Sequence, residues 1–351
     1  MPSRTQSATI RINRESDRER LLTALRGGTP DCVPYLDVQV SGHVVDAVLG
    51  HSGSASSPFL PAADYVEFCR RVGMDAVYII FQWGLGRVYR ETSAGEAQYV
   101  DGSIKSSAQL ADVGPPDLSD TLRRLEDVGD AARRAGLGVI LAAITPYKVV
   151  KAAVGYQDFL IKTSDDPRFL TDFRDKVSAY LHDAMVRLLE YPVDVVWIPG
   201  DLCFNAGPML SPDFIRAYWV QNTNAFIRPA REKGIPVCLH MDGDFSPILD
   251  IMLEVDIQAI HPFEVTGKLD VYRVKEQLAG RAAVAGNIDC AGVLLRGTPV
   301  DVRRDVREHI ERLAPGGGYV CGSSHEITPN TPVENFVAMV EAVDEFGAYA
   351  L

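Results

Sequence analysis

The sequence predicts an α/β protein that forms a single (β/α)8 TIM barrel with a β-hairpin inserted after its second strand. Eight short apolar segments alternate with longer segments that have helical periodicity. Continuous apolar strands separated by helices are typical of a parallel sheet covered by helices. Eight such units favour a closed barrel, and no early strand is followed by the GxGxxG motif of an open dinucleotide-binding sheet.

The chain begins with a polar stretch, residues 1–12, that is expected to be a flexible tail, and residues 13–351 make up the predicted barrel domain. The first helix follows in the segment RESDRERLLTALRGG. Ser16 is its predicted N-cap because Glu19 stands three residues later, and Gly27 and Gly28 end it.

The predicted strands are short apolar segments bounded by Gly, Pro or Asp. They are Val33–Val40, Ala76–Gln82, Gly138–Ile144, Val193–Pro199, Pro236–His240, Gln258–Pro262, Ala282–Asn287 and Gly318–Cys321. The predicted later helices are Pro61–Val72, Leu118–Ala135, Asp166–Leu189, Pro212–Lys233, Phe245–Glu254, Val271–Leu278, Val300–Leu313 and Pro332–Phe346. The Gly-, Ser- and Pro-rich stretch Leu49–Pro61 is expected to be a loop. Arg87–Lys105 alternates apolar and polar residues around two turn motifs, which predicts the inserted hairpin.

The composition is that of an ordinary soluble globular protein, with 46% hydrophobic and 23% charged residues. The net charge of −12 argues against a nucleic-acid backbone or an anionic membrane as the main partner. No segment approaches the roughly 20 apolar residues that span a bilayer, and the polar N-terminus does not resemble a secretion signal. The six cysteines are scattered without a CxxC pair, as is typical of reduced thiols, so a cytoplasmic protein is expected.

In a barrel of this kind, reactive side chains lie at the carboxyl ends of the strands and in the loops that follow. The fifth strand ends in HMDGD, where His240 and Asp242 are two residues apart and so point to the same side of an extended chain. The sixth strand ends in HPFE, which brings Glu264 to the same edge, whereas His261 is expected to be a structural histidine within the strand. The eighth strand is followed by CGSSHEITPNTP, which carries His325.

Together, His240, Asp242, Glu264 and His325 have the donor types of a mixed nitrogen and oxygen site for a divalent metal. They would serve equally well as general acids and bases around an anionic intermediate, with Glu264 and His325 as catalytic candidates. Asp201, after the fourth strand, is a third catalytic candidate that would hold substrate or orient a histidine. The substrate-binding candidates at the other strand ends are Asp37, Gln82, Tyr147 and Asn287.

Several segments, taken as a set, resemble the uroporphyrinogen decarboxylase superfamily, which also includes corrinoid- and thiol-linked methyltransferases. They are RERLLTALRGGTPDCVP, SPDFIRAYWVQNTNAFIRPAREKGIPVCLHMDGD, GNIDCAGVLLRGTPVDVRRDV and TPVENFVAMVEAVDEFG. The similarity extends from about Arg18 to Gly347. It implies a (β/α)8 barrel with a cleft at the strand carboxyl ends and, from the family alone, a homodimer.

The chain departs from both branches of this superfamily. A true uroporphyrinogen decarboxylase grips the carboxylates of its substrate with an arginine-rich motif at the first strand, but here that region reads PYLDVQVSGHVV. The methyltransferase branch binds zinc through His-x-Cys after strand five and a Cys after strand eight. In this sequence His240-x-Asp242 and His325 fall on those positions. The resemblance therefore implies a divergent member, not a true uroporphyrinogen decarboxylase, with a divalent metal site for zinc or a harder ion such as manganese or iron.

The leading hypothesis is a metal-dependent enzyme that transfers a methyl or other one-carbon group on a small-molecule substrate, with a corrinoid protein as a candidate partner. His240, Asp242 and His325 would bind the metal, and Glu264 would be a fourth ligand or a base. One alternative is a metal-free decarboxylase or C–C lyase acting on a small carboxylic acid. In it, His325 would donate a proton, and Asp201 or Asp242 would stabilise a cationic intermediate. The other alternative is a non-catalytic binding protein on a retained barrel.

Overall fold

A computed structural model describes residues 8–92, 97–267 and 269–349 and has the predicted α/β architecture. The strands in these ranges are β1 (Ala76–Phe81), β2 (Arg87–Glu91), β3 (Ala97–Gly102), β4 (Gly138–Ala143), β5 (Val195–Pro199), β6 (Cys203–Phe204), β7 (Gly207–Pro208), β8 (Val237–Met241), β9 (Ala259–Pro262), β10 (Ala283–Ala285) and β11 (Tyr319–Val320). A curled parallel sheet of seven strands lies at the centre, in the order β1-β4-β5-β8-β9-β10-β11.

The helices of the described ranges lie before, between and after these strands in the chain. They are α1 (Arg18–Leu25), α2 (Gly42–Leu49), α3 (Ala62–Val72), α4 (Ser119–Arg124), α5 (Asp130–Arg134), α6 (Pro146–Val154), α7 (Tyr156–Asp165), α8 (Pro167–Leu188), α9 (Pro212–Phe214), α10 (Gln221–Glu232), α11 (Leu249–Met252), α12 (Val271–Leu278), α13 (Val293–Arg296), α14 (Pro299–Leu313) and α15 (Val333–Phe346). Wide π turns at Leu125–Gly129 and Ile215–Val220 join α4 to α5 and α9 to α10.

The strands of the central sheet are mostly apolar because both faces are covered. In β1, five of the six residues of AVYIIF are buried. β8 pairs with β9 in a register that sets His240 directly beside His261. Since all strands of the sheet are parallel, their carboxyl ends meet at one edge. The candidate site residues lie at that edge.

The prediction of a regular strand at Val33–Val40 is wrong. This segment lies between β11 and β1, but it makes only isolated bridges, such as the one between Tyr35 and Cys321. Pro34 has no N–H to donate to a ladder. The Tyr35 N–H donates to the side chain of Asp75 instead of to a neighbouring strand. Seven regular strands and one bridged segment therefore stand where eight strands were predicted.

Asp75, at the amino end of β1, ties the bridged segment and the N-terminal region to the sheet. Its fully buried carboxylate accepts from Arg14 Nη2 at 2.8 Å, Arg20 Nη1 at 2.9 Å and the Tyr35 N–H at 2.9 Å. Two guanidinium groups on one carboxylate offset the cost of removing these charges from water. The cluster lies at the opposite end of β1 from the candidate site, so its role is in stability.

The N-terminal region differs from the prediction in its helix cap. Residues 1–7 of the predicted tail lie outside the described residues, whereas in the described part the Ala8 N–H donates to the Ala47 carbonyl at 2.6 Å. The prediction that Ser16 caps this helix is wrong, because the Ser16 hydroxyl donates to a backbone carbonyl of α3. Asp17 caps α1 by accepting from the Glu19 N–H at 2.8 Å, as a carboxylate one residue before the helix can.

Two further features follow β1 along the chain. β2 and β3 pair antiparallel in the stretch where a hairpin was expected, and residues 93–96 between them lie outside the described residues. Later in the chain, α8 is the longest described helix. Within the described ranges, no helix combines the length and apolar character needed to cross a membrane.

Helix α6, which the sequence pattern did not predict, positions several side chains at the site. It begins where Pro146 follows Thr145, whose hydroxyl accepts from the Lys148 N–H at 3.4 Å. Eight of its nine residues are buried. At nine residues it is shorter than the roughly 10–12 residues by which a helix is told from a strand in a sequence pattern. It places Tyr147, Lys148 and Lys151 after the carboxyl end of β4.

Candidate active site

Three side chains meet at the carboxyl edge of the sheet, at the ends of β8 and β11. His240 is the fourth residue of β8, and its Nε2 lies 3.1 Å from Asp242 Oδ2, just after the strand. The ring of His325, in the loop after β11, lies 5.3 Å from the ring of His240, centroid to centroid. One donor atom from each residue lies within 4.8 Å of the other two. The structure thus brings together three of the four residues that the sequence predicted as metal ligands.

The charge state of Asp242 is set by its neighbours. Burial acts to raise the pKa of this carboxyl, but the hydrogen bond and charge of His240, with further contributions from His325 and His261, outweigh it. The pKa of Asp242 is lowered to about 2, so the carboxylate is ionised at neutral pH. Its second oxygen, Oδ1, is buried and has no hydrogen-bond partner among the described residues. That oxygen remains available to a ligand.

His261 supports His240 from the neighbouring strand. The Nδ1 atoms of the two rings are 2.9 Å apart, a distance at which one ring donates and the other accepts. Burial, together with the charges of His240 and His325, lowers the pKa of His261 well below its usual value, so this ring is neutral. A hydrogen bond with the Ser323 backbone opposes the shift. When His261 donates its single N–H to that backbone, its Nδ1 accepts from His240 Nδ1, which leaves His240 Nε2 as the ligand atom.

The three donor groups fit a divalent cation. Ligands about 2.0–2.2 Å from one ion lie roughly 3–4 Å apart, and His240 Nε2 and Asp242 Oδ2 already have that spacing. A ring nitrogen of His325 lies within 4.8 Å of the donor atoms of both. The unpartnered Asp242 Oδ1 and the neutral supporting His261 are further features of such a site. Two imidazoles and one carboxylate suit zinc, manganese or iron.

Glu264 lies next to this cluster but is engaged in its own loop. Its carboxylate accepts from the Gly243 N–H at 3.1 Å and from the Thr266 hydroxyl. Gly243 is the residue directly after Asp242. The contact therefore joins the loop after β9 to the turn that carries Asp242, and Glu264 is not among the three residues whose donor atoms converge.

Asp201 follows β5 and is held between two lysines. Its Oδ2 lies 2.8 Å from Lys148 Nζ and 4.0 Å from Lys151 Nζ, and its backbone carbonyl accepts from Lys151 at 2.8 Å. Burial would raise the pKa of Asp201, but the two lysines lower it. Burial lowers the pKa of Lys151 to about 8, with Asp201 opposing the shift. Asp201 thus pairs with cations of α6 and is ionised at neutral pH.

The predicted substrate-binding residues occupy different positions. Asp37 is fully enclosed, with Oδ1 accepting from the Ser323 hydroxyl at 2.5 Å and Oδ2 from the Tyr35 hydroxyl at 2.5 Å, and its burial raises its pKa. Asn287 is buried and donates to a backbone carbonyl of the loop after β9 at 3.1 Å. Tyr147 is buried in α6, where its hydroxyl reaches the Asp201 carbonyl. Gln82 is the one of the four that lines the cavity beside the cluster.

That cavity has a volume of about 250 Å³ and opens at the carboxyl edge. The side chains of its apolar wall include Tyr78, Ile80, Phe81, Ile144 and Trp197. Its polar lining includes Gln39, Gln82, Lys148, His240, His325 and Glu326. Sequence reasoning missed Tyr78, Trp197 and Lys148. Alternation within β1 would have found Tyr78, since it faces the same side of the strand as Ile80 and Gln82.

A second cavity of about 380 Å³ lies on the other side of the cluster. Asp242, Glu264, Asp289 and Cys290 line it, and His325 and Glu326 line both cavities. The candidate metal ligands therefore stand in the wall between two spaces. Four carboxylates line the second space, those of Asp242, Glu264, Asp289 and Glu326, whereas Glu326 alone supplies a carboxylate to the first.

A curled parallel sheet with polar side chains gathered at its carboxyl edge, around an open cavity, is the arrangement of barrel-like α/β proteins that bind small molecules at the ends of their strands. Within that class, the chain belongs to the uroporphyrinogen decarboxylase (URO-D) family, whose family model matches residues 16–346. The resemblance inferred from the sequence segments is thereby confirmed.

The relatives include both chemistries of the family. The chain is 26% identical over 360 residues to the methylcobamide:CoM methyltransferase MtaA of Methanosarcina barkeri. The aligned region covers 94% of this chain and 98% of the relative. It is 24% identical over 354 residues to the uroporphyrinogen decarboxylase of Alkalilimnicola ehrlichii, which covers 93% of both chains. A methyltransferase structure from Methanosarcina mazei has a TM-score of 0.71 and 21% identity, covering 94% of this chain and 98% of that one. The chain is thus a divergent enzyme of the family.

Proposed function

We propose that this protein is a metal-dependent enzyme that transfers a methyl or other one-carbon group, and that His240, Asp242 and His325 hold the metal. The observation that carries the proposal is the convergence of their donor atoms within 4.8 Å at the edge of the cavity. Zinc is the first candidate because it accepts imidazole and carboxylate donors, with manganese and iron as alternatives. Similarity to the methylcobamide:CoM methyltransferase MtaA supports methyl transfer as the reaction class.

A divalent ion at this position would lower the pKa of a bound thiol, hydroxyl or water and so provide a nucleophile at neutral pH. The protein's own residues have separate tasks. His261 fixes the orientation of His240 through the 2.9 Å contact between their Nδ1 atoms. Glu264 holds the turn after Asp242 by accepting from the Gly243 N–H. We propose this positioning role for Glu264 in place of that of a fourth ligand.

The name of the Methanosarcina barkeri relative refers to a methylcobamide, which carries its methyl group on a corrinoid. We therefore propose a corrinoid protein as the partner of this chain, with a small molecule as the second substrate. The proposed fold is a closed (β/α)8 barrel in which the bridged segment Val33–Val40 fills the eighth strand position. The bridge of Tyr35 to Cys321 and its hydrogen bonds with Asp75 support this closure.

Elemental analysis of the purified protein tests the metal site. We expect about one divalent ion per chain in the wild type, and loss of that ion in both His240→Ala and His325→Ala. His309→Ala is the matched control, because His309 is a buried histidine of α14 that bonds to the Asp305 carbonyl. A wild type without metal, or metal retained in both site variants, would contradict the proposal.

Metal-free decarboxylation or C–C cleavage of a small carboxylic acid is a second candidate function. Lys148 favours it, because this cation on the cavity wall suits a substrate carboxylate. The proposed role of Asp201 in stabilising a cationic intermediate has less support, because two lysines already neutralise this carboxylate. Release of CO₂ from a candidate acid that continues unchanged after exhaustive chelation would favour this function over methyl transfer.

A further inference from the structure

We propose that the substrate is a small monocarboxylate with a flat apolar body, bound through its carboxylate to Lys148 and through a second oxygen to the Tyr78 hydroxyl. This inference rests on the proposed function only in assuming that the bound carboxylate then reacts at the metal. It concerns binding, which can be measured with the metal removed. The two proposals can therefore fail separately.

The anion site is the cluster formed by Lys148, Lys151 and Asp201. Lys148 has three N–H donors, of which one points to Asp201 Oδ2 at 2.8 Å, so donors remain for a ligand. Two lysines and one carboxylate have a net charge of +1 (2 − 1) when all are ionised. Lys148 also lies in the first turn of α6, where the helix N-terminus adds partial positive charge. The cluster therefore retains attraction for one more anion.

The second polar contact is the hydroxyl of Tyr78. Tyr78 is 2% exposed and lines the cavity, and its hydroxyl has no hydrogen-bond partner among the described residues. A buried hydroxyl without a partner is costly and is expected to be satisfied by a ligand. Tyr78 lies three residues before the end of β1, whereas Lys148 lies beyond the end of β4. The two groups are at different depths, so the ligand carries oxygens at both of its ends.

The cavity that both groups line is mostly apolar. Ile80, Ile144 and Trp197 line it. The volume of about 250 Å³ lies below the roughly 300–1,000 Å³ of sites for drug-sized ligands, so a compound with a single ring fits and a tetrapyrrole macrocycle does not. Glu326 lines the same cavity and accepts from Gln39 Nε2 at 3.0 Å. Its negative charge disfavours a second carboxylate, which is why a monocarboxylate is proposed.

The first experiment compares the affinities of four probes by titration calorimetry, on protein from which metal has been removed with a chelator. They are 4-hydroxybenzoate, benzoate, phenol and benzylamine. We expect 4-hydroxybenzoate to bind most tightly, benzoate less tightly, and phenol and benzylamine at least about tenfold more weakly than benzoate, because a charge-assisted hydrogen bond is lost. Benzylamine binding as tightly as benzoate, or none of the four binding at millimolar concentration, would overturn the proposal.

Three variants then separate the two contacts. Lys148→Met is expected to weaken benzoate at least about tenfold, whereas Lys148→Arg keeps the charge and retains binding. Tyr78→Phe is expected to leave benzoate unchanged and to abolish the preference for 4-hydroxybenzoate. Lys162→Met on α7, away from the cavity lining, is the matched control. Unchanged benzoate affinity in folded Lys148→Met would refute the anion site. The four probes can show the expected order of affinities on chelator-treated protein while the untreated protein is found to hold no metal. In that case the proposed metal-dependent function fails and the proposed carboxylate site stands.

Discussion

His240 and His261 occupy neighbouring positions on two adjacent strands, and their Nδ1 atoms are 2.9 Å apart. At that distance the two rings share one proton, because two protonated nitrogens or two lone pairs would repel each other. The pair therefore has a fixed orientation, with Nε2 of His240 directed at Asp242. The position of the candidate metal ligand thus depends on a histidine that is not itself a ligand.

Replacing His261 tests this dependence. We expect His261→Ala to weaken zinc binding by about 10- to 100-fold without removing a ligand, because the supporting hydrogen bond to His240 is lost. Competition with a chromophoric chelator measures the change in affinity. His261→Gln, which keeps a hydrogen-bonding group at this position, is expected to lose less. Equal zinc affinity in the wild type and both variants would show that His261 has no such role.

Asp242 provides a test of metal preference. We expect Asp242→Cys to raise the affinity for zinc relative to manganese, because a thiolate is a softer donor than a carboxylate. Both affinities are measured by competition at one pH, and the ratio of the two dissociation constants is the readout. Asp244→Cys, two residues later in the same loop, is the control. An unchanged ratio in Asp242→Cys would show that residue 242 does not contact the ion.

The lowered pKa of Asp242 predicts a dependence of stability on pH in chelated protein. The carboxyl has a pKa of about 2 when folded, below its usual 3.8, so its contribution is present above about pH 4 and is lost as the pH falls through 2. After allowance for solvent screening, we expect that contribution to be about 1 kcal/mol. Urea unfolding between pH 5 and pH 2.5 measures it. Relative to the wild type, Asp242→Asn should lose less stability across this range, and parallel curves would contradict the assignment.

The ion cluster at the amino end of β1 predicts a large effect on stability. We expect Asp75→Ala to reduce the free energy of unfolding by about 3–5 kcal/mol, because two buried arginines lose their shared partner. Asp120→Ala removes an exposed ion pair with Arg123 and should cost less than about 1 kcal/mol. Urea denaturation of both variants measures the difference. Similar losses in the two would show that burial of Asp75 does not matter.

The fold class was predictable because its signals are local. Apolar strands that alternate with amphipathic helices appear directly in the sequence, and the observed bounds of α12 are the predicted ones. The prediction failed where contacts distant in sequence decide the conformation. At Tyr35, the backbone N–H is taken by the side chain of Asp75, 40 residues away, so a segment that reads as a strand forms only bridges.

The candidate site likewise has one part that the sequence determined and one part that only the tertiary structure decided. By itself, the sequence determined that His240, Asp242 and His325 lie at strand carboxyl ends, because the order of strands and loops is a property of the chain. Only the tertiary structure decided that their donor atoms meet while the carboxylate of Glu264 bonds within its own loop. The pairing of His261 with His240, and the cavity between Tyr78 and Lys148, depend on strand register and helix packing. Those contacts join residues far apart in the sequence, and no local pattern encodes them.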